Sequence, residues 1–375
     1  MTPSREWHQC AARLGAGRAL RIAFAGISFV KATGGQPMRT RTAVMILFVL
    51  FMLLPLAGAR AAELQKIKVT VPTISTIFYP LYYGQDKGIF AKEGLDIEVI
   101  STNGDGPDVD AVISGSAQFA ISTPNRLFTA YEQGKPLKAV GMLARRMAID
   151  CAMNRQVAEK LGIKTDTPLD TKLKALKDLT VAGTRPGAFT YVLLDIYGKR
   201  VGLVAQKDFK LIGVGGLNSM LPAVENNRIA VGCTGSPFTE LAVARGKAIR
   251  LTNNARGDDP AFDDFLFEMV YATPEYLKAN GDTTRKFLRA LFASVNQILD
   301  TPAEGHMPML EKLFGGVPDD VLLETFENTK RIFSRDGVVT PGSVQKAGVF
   351  MVESGAIKTP ATFDQVADND FLAKH

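Results

Sequence analysis

One order of elements occurs twice in this chain, about 110 residues apart, and it fixes the fold class more tightly than any other feature. In the first copy, Ile67-Lys-Val-Thr-Val71 alternates apolar and polar residues as a strand does, and Pro72 breaks it. Tyr79, Tyr82, Tyr83 and Phe90 then follow with helical spacing. Gly94-Leu95 turns the chain into the alternating Asp96-Ile-Glu-Val-Ile100. A turn containing Gly104 and Gly106 leads to a short helix with Val109, Val112 and Ile113, then to a strand over residues 117–121 and to Ser122-Thr-Pro124. A run of strand, helix, strand, helix, strand is the grammar of a parallel sheet.

The second copy keeps the landmarks. Leu179-Thr-Val181 is the strand, and the helix after it carries Phe189, Val192, Leu193, Ile196 and Tyr197 on one face. Gly202-Leu203 matches Gly94-Leu95, the strand at residues 209–212 matches that at Ile97, and Gly215-Gly216 opens a helix with Leu217, Leu221 and Val224. A strand over residues 229–231 runs to Ser236-Pro237, which echoes Thr123-Pro124. The offset drifts only from 108 at Gly94 to 113 at Pro124, so two lobes of common plan are expected. Beyond residue 249 the pattern changes to one more strand at 265–271 and amphipathic helices at 282–299, 319–333 and 343–354. Residues 137–153 and 265–273 are the candidate crossovers. The implied organisation is an upstream extension with a signal over 1–61, a first lobe from 62–145, a second from 146–265, and a return to the first over 266–375.

The sequence pI near 9.1 invites a nucleic-acid reading, but the charge sits in the wrong place. Eight of the 44 basic residues and one of the 38 acidic ones precede Ala62, which leaves 36 against 37 in the rest. A body that binds phosphates needs its own surplus of Lys and Arg, so no nucleic-acid partner is expected. Arg39 and Arg41, an uncharged apolar run over residues 43–59, and Ala59-Arg60-Ala61 form the basic, apolar and small-residue series of a cleaved export signal. Pro55 and Gly58 argue against a retained anchor, and no Cys follows the run to carry a lipid. Met38, directly before the basic pair, reads as the start of the signal. A periplasmic location follows.

Cysteine and histidine are scarce beyond the signal: Cys151, Cys233, His306 and the terminal His375. There is no HExxH, CxxC or GxSxG, so neither a zinc site nor a hydrolase is expected, and no cofactor is implied. Export permits a Cys151–Cys233 bridge. Both cysteines lie in apolar runs, and buried free thiols are the reading preferred here.

The matching residues of a known group are Tyr79-Pro-Leu-Tyr-Tyr-Gly-Gln-Asp-Lys-Gly-Ile-Phe-Ala-Lys-Glu-Gly-Leu-Asp-Ile-Glu98, the stretches 106–141 and 179–203, and Val270-Tyr-Ala-Thr-Pro-Glu-Tyr-Leu277. Over roughly residues 66–372 the chain resembles the periplasmic substrate-binding proteins of nitrate/sulfonate/taurine-type ABC importers, a group that also contains thiamine-precursor binders. The resemblance implies an α/β, two-lobe periplasmic-binding-protein type II fold, each lobe a mostly parallel sheet flanked by helices and the two joined by crossover strands. It implies a monomer that captures a small molecule (a sulfonate, nitrate-like anion, carboxylate or heterocycle) and hands it to an inner-membrane ABC permease and its ATPase. Two alternatives remain open: an enzyme on the same fold, such as a pyrimidine-precursor synthase, and an extracytoplasmic ligand sensor. The family's enzyme relies on histidine and a cysteine-rich motif that this chain lacks.

In open α/β sheets ligands bind beyond the carboxyl ends of the strands. That rule selects residues 72–79, 104–107, 122–125, 184–189, 215–216 and 234–238. Within them the candidate ligand-binding residues are Ser75, Thr76, Tyr79, Gly104, Ser122, Thr123, Thr184, Gly187, Ala188, Gly216 and Ser236, which offer hydroxyls, helix-start amides or close backbone approach. Arg126, Arg145, Arg146 and Arg185 are the cations that could serve an anionic ligand. No catalytic and no metal-binding residue is assigned.

Overall fold

The computed structural model describes residues 63–372 apart from 103, 105 and 136, so the expected signal and its cleavage site lie outside the described residues. Ten strands form two five-stranded sheets within one compact unit. The first sheet contains β1 (Gln65–Val71), β2 (Leu95–Ser101), β3 (Phe119–Ser122), β4 (Lys138–Ala144) and β10 (Glu268–Ala272), in the order β2-β1-β3-β10-β4. The second contains β5 (Ile149–Asn154), β6 (Thr180–Gly183), β7 (Lys210–Gly213), β8 (Val231–Gly235) and β9 (Ala248–Arg250), in the order β7-β6-β8-β5-β9.

The two orders are one plan used twice. β1 pairs in parallel with β2 and β3, as β6 does with β7 and β8. β10 then lies antiparallel between β3 and β4, and β5 lies antiparallel between β8 and β9. Four strands of each sheet therefore share a direction and one opposes them. The opposing strand is in each case the one that has just arrived from the other sheet. The repeat at about 110 residues is the trace of this duplicated order.

The crossovers are shorter than the apolar runs suggest. Residues 137–153 divide into β4 and β5, in different sheets, with only residues 145–148 between them. The return segment lies beside this link: Phe265 N–H donates to the Arg145 carbonyl at 2.9 Å and Phe267 N–H to the Ala144 carbonyl at 3.3 Å. Strands buried on both faces read as continuous hydrophobic runs, so nothing in the pattern of Lys-Ala-Val-Gly-Met-Leu-Ala marks where one sheet ends.

The helices pack as their stripes require. Gly281–Asp300 buries Phe287, Leu288, Leu291, Val295 and Ile298, and Phe287 stacks on Phe119 of β3 with ring centroids 4.4 Å apart. Such a pair contributes about 0.5–1.5 kcal/mol beyond its burial. Helix Asp319–Lys330 touches both lobes. Its Thr329 hydroxyl lies 2.7 Å from that of Thr76, and its Glu324 accepts from Arg250 of β9 at 2.9 Å. The same Arg250 lies 3.8 Å from Asp150 and 3.5 Å from Glu240. Burial, and then the charge of Glu240, push the Asp150 carboxyl well above its ordinary value.

Cys151 and Cys233 are joined in a disulfide, which corrects the expectation of free thiols. They stand directly opposite each other in the β5–β8 ladder. The Cys151 amide and carbonyl bond to Thr252 and Leu251 on the other side of β5. The cysteines thus form a non-hydrogen-bonded antiparallel pair, the kind in which side chains come closest.

Candidate functional site

A cavity of about 100 Å³ opens between the lobes and is walled by both. From the first lobe come Pro72, Thr73, Ser75, Ile77, Phe78, Gly104 and Thr123, and from the second Ile149, Thr184, Thr190, Gly216, Thr234 and Gly235; Phe267 and Glu268 belong to the returning strand and the link before it. The cavity has room for several water-sized groups, so a small ligand with polar edges fits it.

Three contacts cross the cleft beside this cavity. Ser75 Oγ donates to the Ser236 carbonyl at 3.2 Å, and Asn125 Nδ2 donates to the Gly187 carbonyl at 3.0 Å. The Arg185 side chain lies against Gly104, so close that a Cβ there would collide with its guanidinium. Gly104 has φ +134°, and only glycine combines that backbone with such an approach. Its own amide donates to the Pro72 carbonyl. The neighbouring turn is held by Asp108, whose carboxylate accepts the Gly106 N–H at 2.6 Å and whose pKa burial pushes up.

Of the residues expected from sequence, Ser75, Gly104, Thr123, Thr184 and Gly216 line the cavity. The others lie off its wall, for local reasons. Thr76 enters the 3₁₀ turn Thr76–Phe78 and bonds Thr329. Tyr79, at the start of the next helix, points into the core, where its hydroxyl meets His306 Nδ1 at 3.1 Å and its ring packs edge-on against Phe326. Burial raises the Tyr79 phenol. Ser122 ends β3 and is fully buried, so strand alternation gives the cavity to Thr123 instead. Gly187 and Ser236 contribute backbone carbonyls to the cross-cleft contacts, and Ala188 is the buried residue preceding helix Phe189–Arg200.

Four lining residues fall outside the loops chosen from sequence: Ile149, Thr190, Phe267 and Glu268. Thr190, in the first turn of its helix, accepts the Thr184 N–H at 2.8 Å and pairs with its hydroxyl at 2.9 Å. Glu268 is 2% exposed. Its signal in the sequence is a lone acid within the apolar run Phe265-Leu-Phe-Glu-Met-Val-Tyr271. Among the described residues no group of three or more His, Cys, Asp or Glu could hold a metal ion.

Residues 75–305 match the family described as NMT1/THI5 like. The chain belongs to the NMT1/THI5-like family. This NMT1/THI5-like chain is 22% identical over 333 residues to YtlA of Bacillus subtilis (strain 168), named as a candidate binding protein, with 87% of this chain and 94% of that one covered. Among solved structures, it is similar to a ligand-binding component of an ABC-type import system from Staphylococcus aureus, solved with zinc bound, at TM-score 0.63 and 16% identity, covering 82% of this chain and 97% of that one. It is also similar to the periplasmic nitrate-binding protein NrtA of Synechocystis PCC 6803, at TM-score 0.62 and 21% identity, covering 82% and 87%. At these identities the structural likeness shows the fold, which is that of periplasmic binding proteins.

Proposed function

We propose that this chain is an extracytoplasmic solute-binding protein that captures a small molecule between its lobes and delivers it to an inner-membrane ABC importer. The observation that carries the reading is the cavity itself, walled by both lobes and bridged by the Ser75, Asn125 and Arg185 contacts. A ligand held by both walls favours the closed arrangement, and opening about the short link at residues 145–148 and its partner segment releases it. Ser75, Gly104, Thr123, Thr184 and Gly216 form the ligand wall in this reading, with Thr73, Thr190, Thr234 and Glu268 beside them.

Membership in the family and the similarity to a component of an ABC import system support the partner: a permease with its ATPase. No chemistry on the ligand belongs to the reading. Glu268 is the one ionisable side chain among the described lining residues, whereas general acid–base chemistry commonly uses two. Export by the N-terminal signal, with cleavage near Ala61 and the mature protein acting as a monomer, completes the proposal.

A thermal-shift screen of sulfonates, nitrate, aromatic acids, amines and pyrimidines tests it. A ligand at 100 times its dissociation constant stabilises the folded state by about 2.7 kcal/mol. A saturable shift from one chemical class is the expected result; a flat response across a broad solute library counts against a binding role. Mass spectrometry of a periplasmic extract checks export, which predicts a chain beginning at or near Ala62.

A further inference from the structure

The link between the lobes has a third segment beside it. Arg145 N–H donates to the Ile332 carbonyl at 3.0 Å and Ser334 N–H donates to the Leu143 carbonyl at 2.9 Å, so residues 332–334 pair with the link as the return segment does. Helix Asp319–Lys330 runs directly into this pairing, and its far end therefore stands away from the hinge. At 1.5 Å per residue, Glu324 and Val321 lie about 9 and 14 Å up the helix from Lys330.

Two faces of this helix meet two lobes. Phe326 and Thr329 hold it to the first: the Phe326 ring packs on Tyr79 with centroids 4.9 Å apart, and the Thr329 hydroxyl lies 2.7 Å from that of Thr76. Val321, Glu324 and Asn328, spaced i, i+3 and i+7, face the second. Glu324 accepts from Arg250 Nη2 at 2.9 Å, and Asn328 Oδ1 accepts from Arg256 Nε at 2.7 Å. Val321 is buried in the apolar cluster that contains Phe238 and Leu241. These contacts lie on the cleft side of the hinge. Thr76 follows Ser75, and the helix carrying Phe238 and Leu241 starts two residues after Ser236, so they flank the Ser75–Ser236 hydrogen bond across the cleft.

We infer that helix Asp319–Lys330 is a clasp: fixed to the first lobe, it grips Arg250 and Arg256 of the second when the cleft closes and releases them when it opens. A rotation about the link moves groups far from the hinge more than groups near it, so the Glu324 and Val321 contacts separate on opening. Neither Glu324 nor Arg256 lines the cavity, and both contacts are made from protein to protein. The clasp therefore populates the closed arrangement before a solute arrives. In the solute-binding reading, on which this consequence rests, its loss lowers the affinity for every solute by one common factor, the change in the closed fraction.

The test uses the mature chain with spin labels on Ile74→Cys and Asn218→Cys, exposed positions beside Ser75 and Gly216 on opposite walls of the cavity. Cys151 and Cys233 are bridged and take no label. Pulsed electron spin resonance, before any solute is added, reads the distance between the lobes. The labelled parent is expected to show a short-distance population of about a tenth or more beside a long-distance one. Glu324→Gln combined with Arg256→Met should lower the ratio of short to long about threefold or more, while the two distances themselves stay the same. Both changes spare Arg250, whose loss would strand the buried Asp150 and Glu240. Glu324→Gln alone, at a partly exposed side chain, serves if the double variant does not fold, with a fall of about twofold. A single long distance in the parent, or a ratio unchanged in the folded variant, overturns the clasp. Failure of the solute-binding reading shows separately, as a flat response across the solute library, because the distances are read without a ligand.

Discussion

Asn125, one residue into the helix after β3, donates from Nδ2 to the carbonyl of Gly187 in the loop after β6, at 3.0 Å across the cleft. The two residues occupy different places in the repeat: Asn125 follows β3, the third strand of the first copy, and Gly187 follows β6, the first strand of the second. Asn125 is buried, and its Oδ1 is fixed by the Thr123 hydroxyl, so the amide is oriented before the lobes meet. A single neutral hydrogen bond of this kind contributes about 0.5–1.5 kcal/mol. Asn125→Ala should therefore weaken ligand binding by roughly threefold to tenfold, chiefly by faster release. Stopped-flow dissociation of a ligand found by screening checks this, and an unchanged off-rate would separate the contact from closure.

The Cys151–Cys233 bridge ties the strand that arrives from the first lobe to the centre of the second sheet, over a sequence separation of 82. Both residues are fully buried. Replacing both by Ala should cost about 2–4 kcal/mol of stability. Denaturant titrations with and without reductant measure it: wild type should lose stability on reduction, and the double variant should not respond to reductant. The bridge lies off the cavity wall, so ligand affinity of the folded variant should stay within about twofold of wild type, on the order of 0.4 kcal/mol.

The duplicated strand order was legible because it needs only local signals: alternation at Ile67–Val71, the Gly-Leu turns, and the Pro after each third strand. The stretches that change sheets, 137–153 and 265–273, were legible too, but the division of the first into β4 and β5 was not. That Ile149–Asn154 pairs with β8 and β9, and not with β4, is decided by partners distant in sequence. The misreading of the cysteines follows from that one gap, since their pairing exists only if β5 lies against β8. The candidate site divides in the same way. The loops at strand ends follow from topology, whereas Thr76 and Tyr79 turn away because a 3₁₀ turn intervenes, which no periodicity announces. Glu268 and Phe267 come from the return segment, an element that a rule based on parallel strand ends passes over.

His306, the last residue of the 3₁₀ turn Ala303–His306, is buried among Tyr79, Tyr83 and Phe326. Burial lowers its pKa from the ordinary 6.5, and the positive charges of Lys330 and Lys87 act in the same direction. The unfolded chain then binds a proton that the folded chain refuses. Its contribution to stability is complete above pH about 6.5 and is lost as pH falls through that value toward the lower folded pKa. Denaturation midpoints of wild type should drop between pH 7 and pH 5. In His306→Gln, which keeps a polar partner for the Tyr79 hydroxyl, the decline over that interval should be shallower. Equal slopes in the two proteins would show that other groups govern the acid limb.

Gly187 is the position where sequence reasoning and geometry predict the same loss for different reasons. From sequence, an Asp here puts charge and bulk into the cleft. In the structure Gly187 is exposed and off the cavity wall, and a Cβ would meet nothing within 4 Å, so bulk is not the issue. Its φ of +79° is the issue: an L-residue there costs about 1–2 kcal/mol, and relief of that strain moves the carbonyl that Asn125 needs. Gly187→Asp should still weaken binding by about tenfold. Gly187→Ala should do at least as much, because Asp tolerates the left-handed region better than Ala does. Calorimetry on both variants decides between the two causes. A loss confined to Asp assigns the effect to charge at the cleft rim; a loss shared with Ala, and absent from Asn125→Ala combined with Gly187→Ala when compared with Asn125→Ala alone, assigns it to the cross-cleft hydrogen bond.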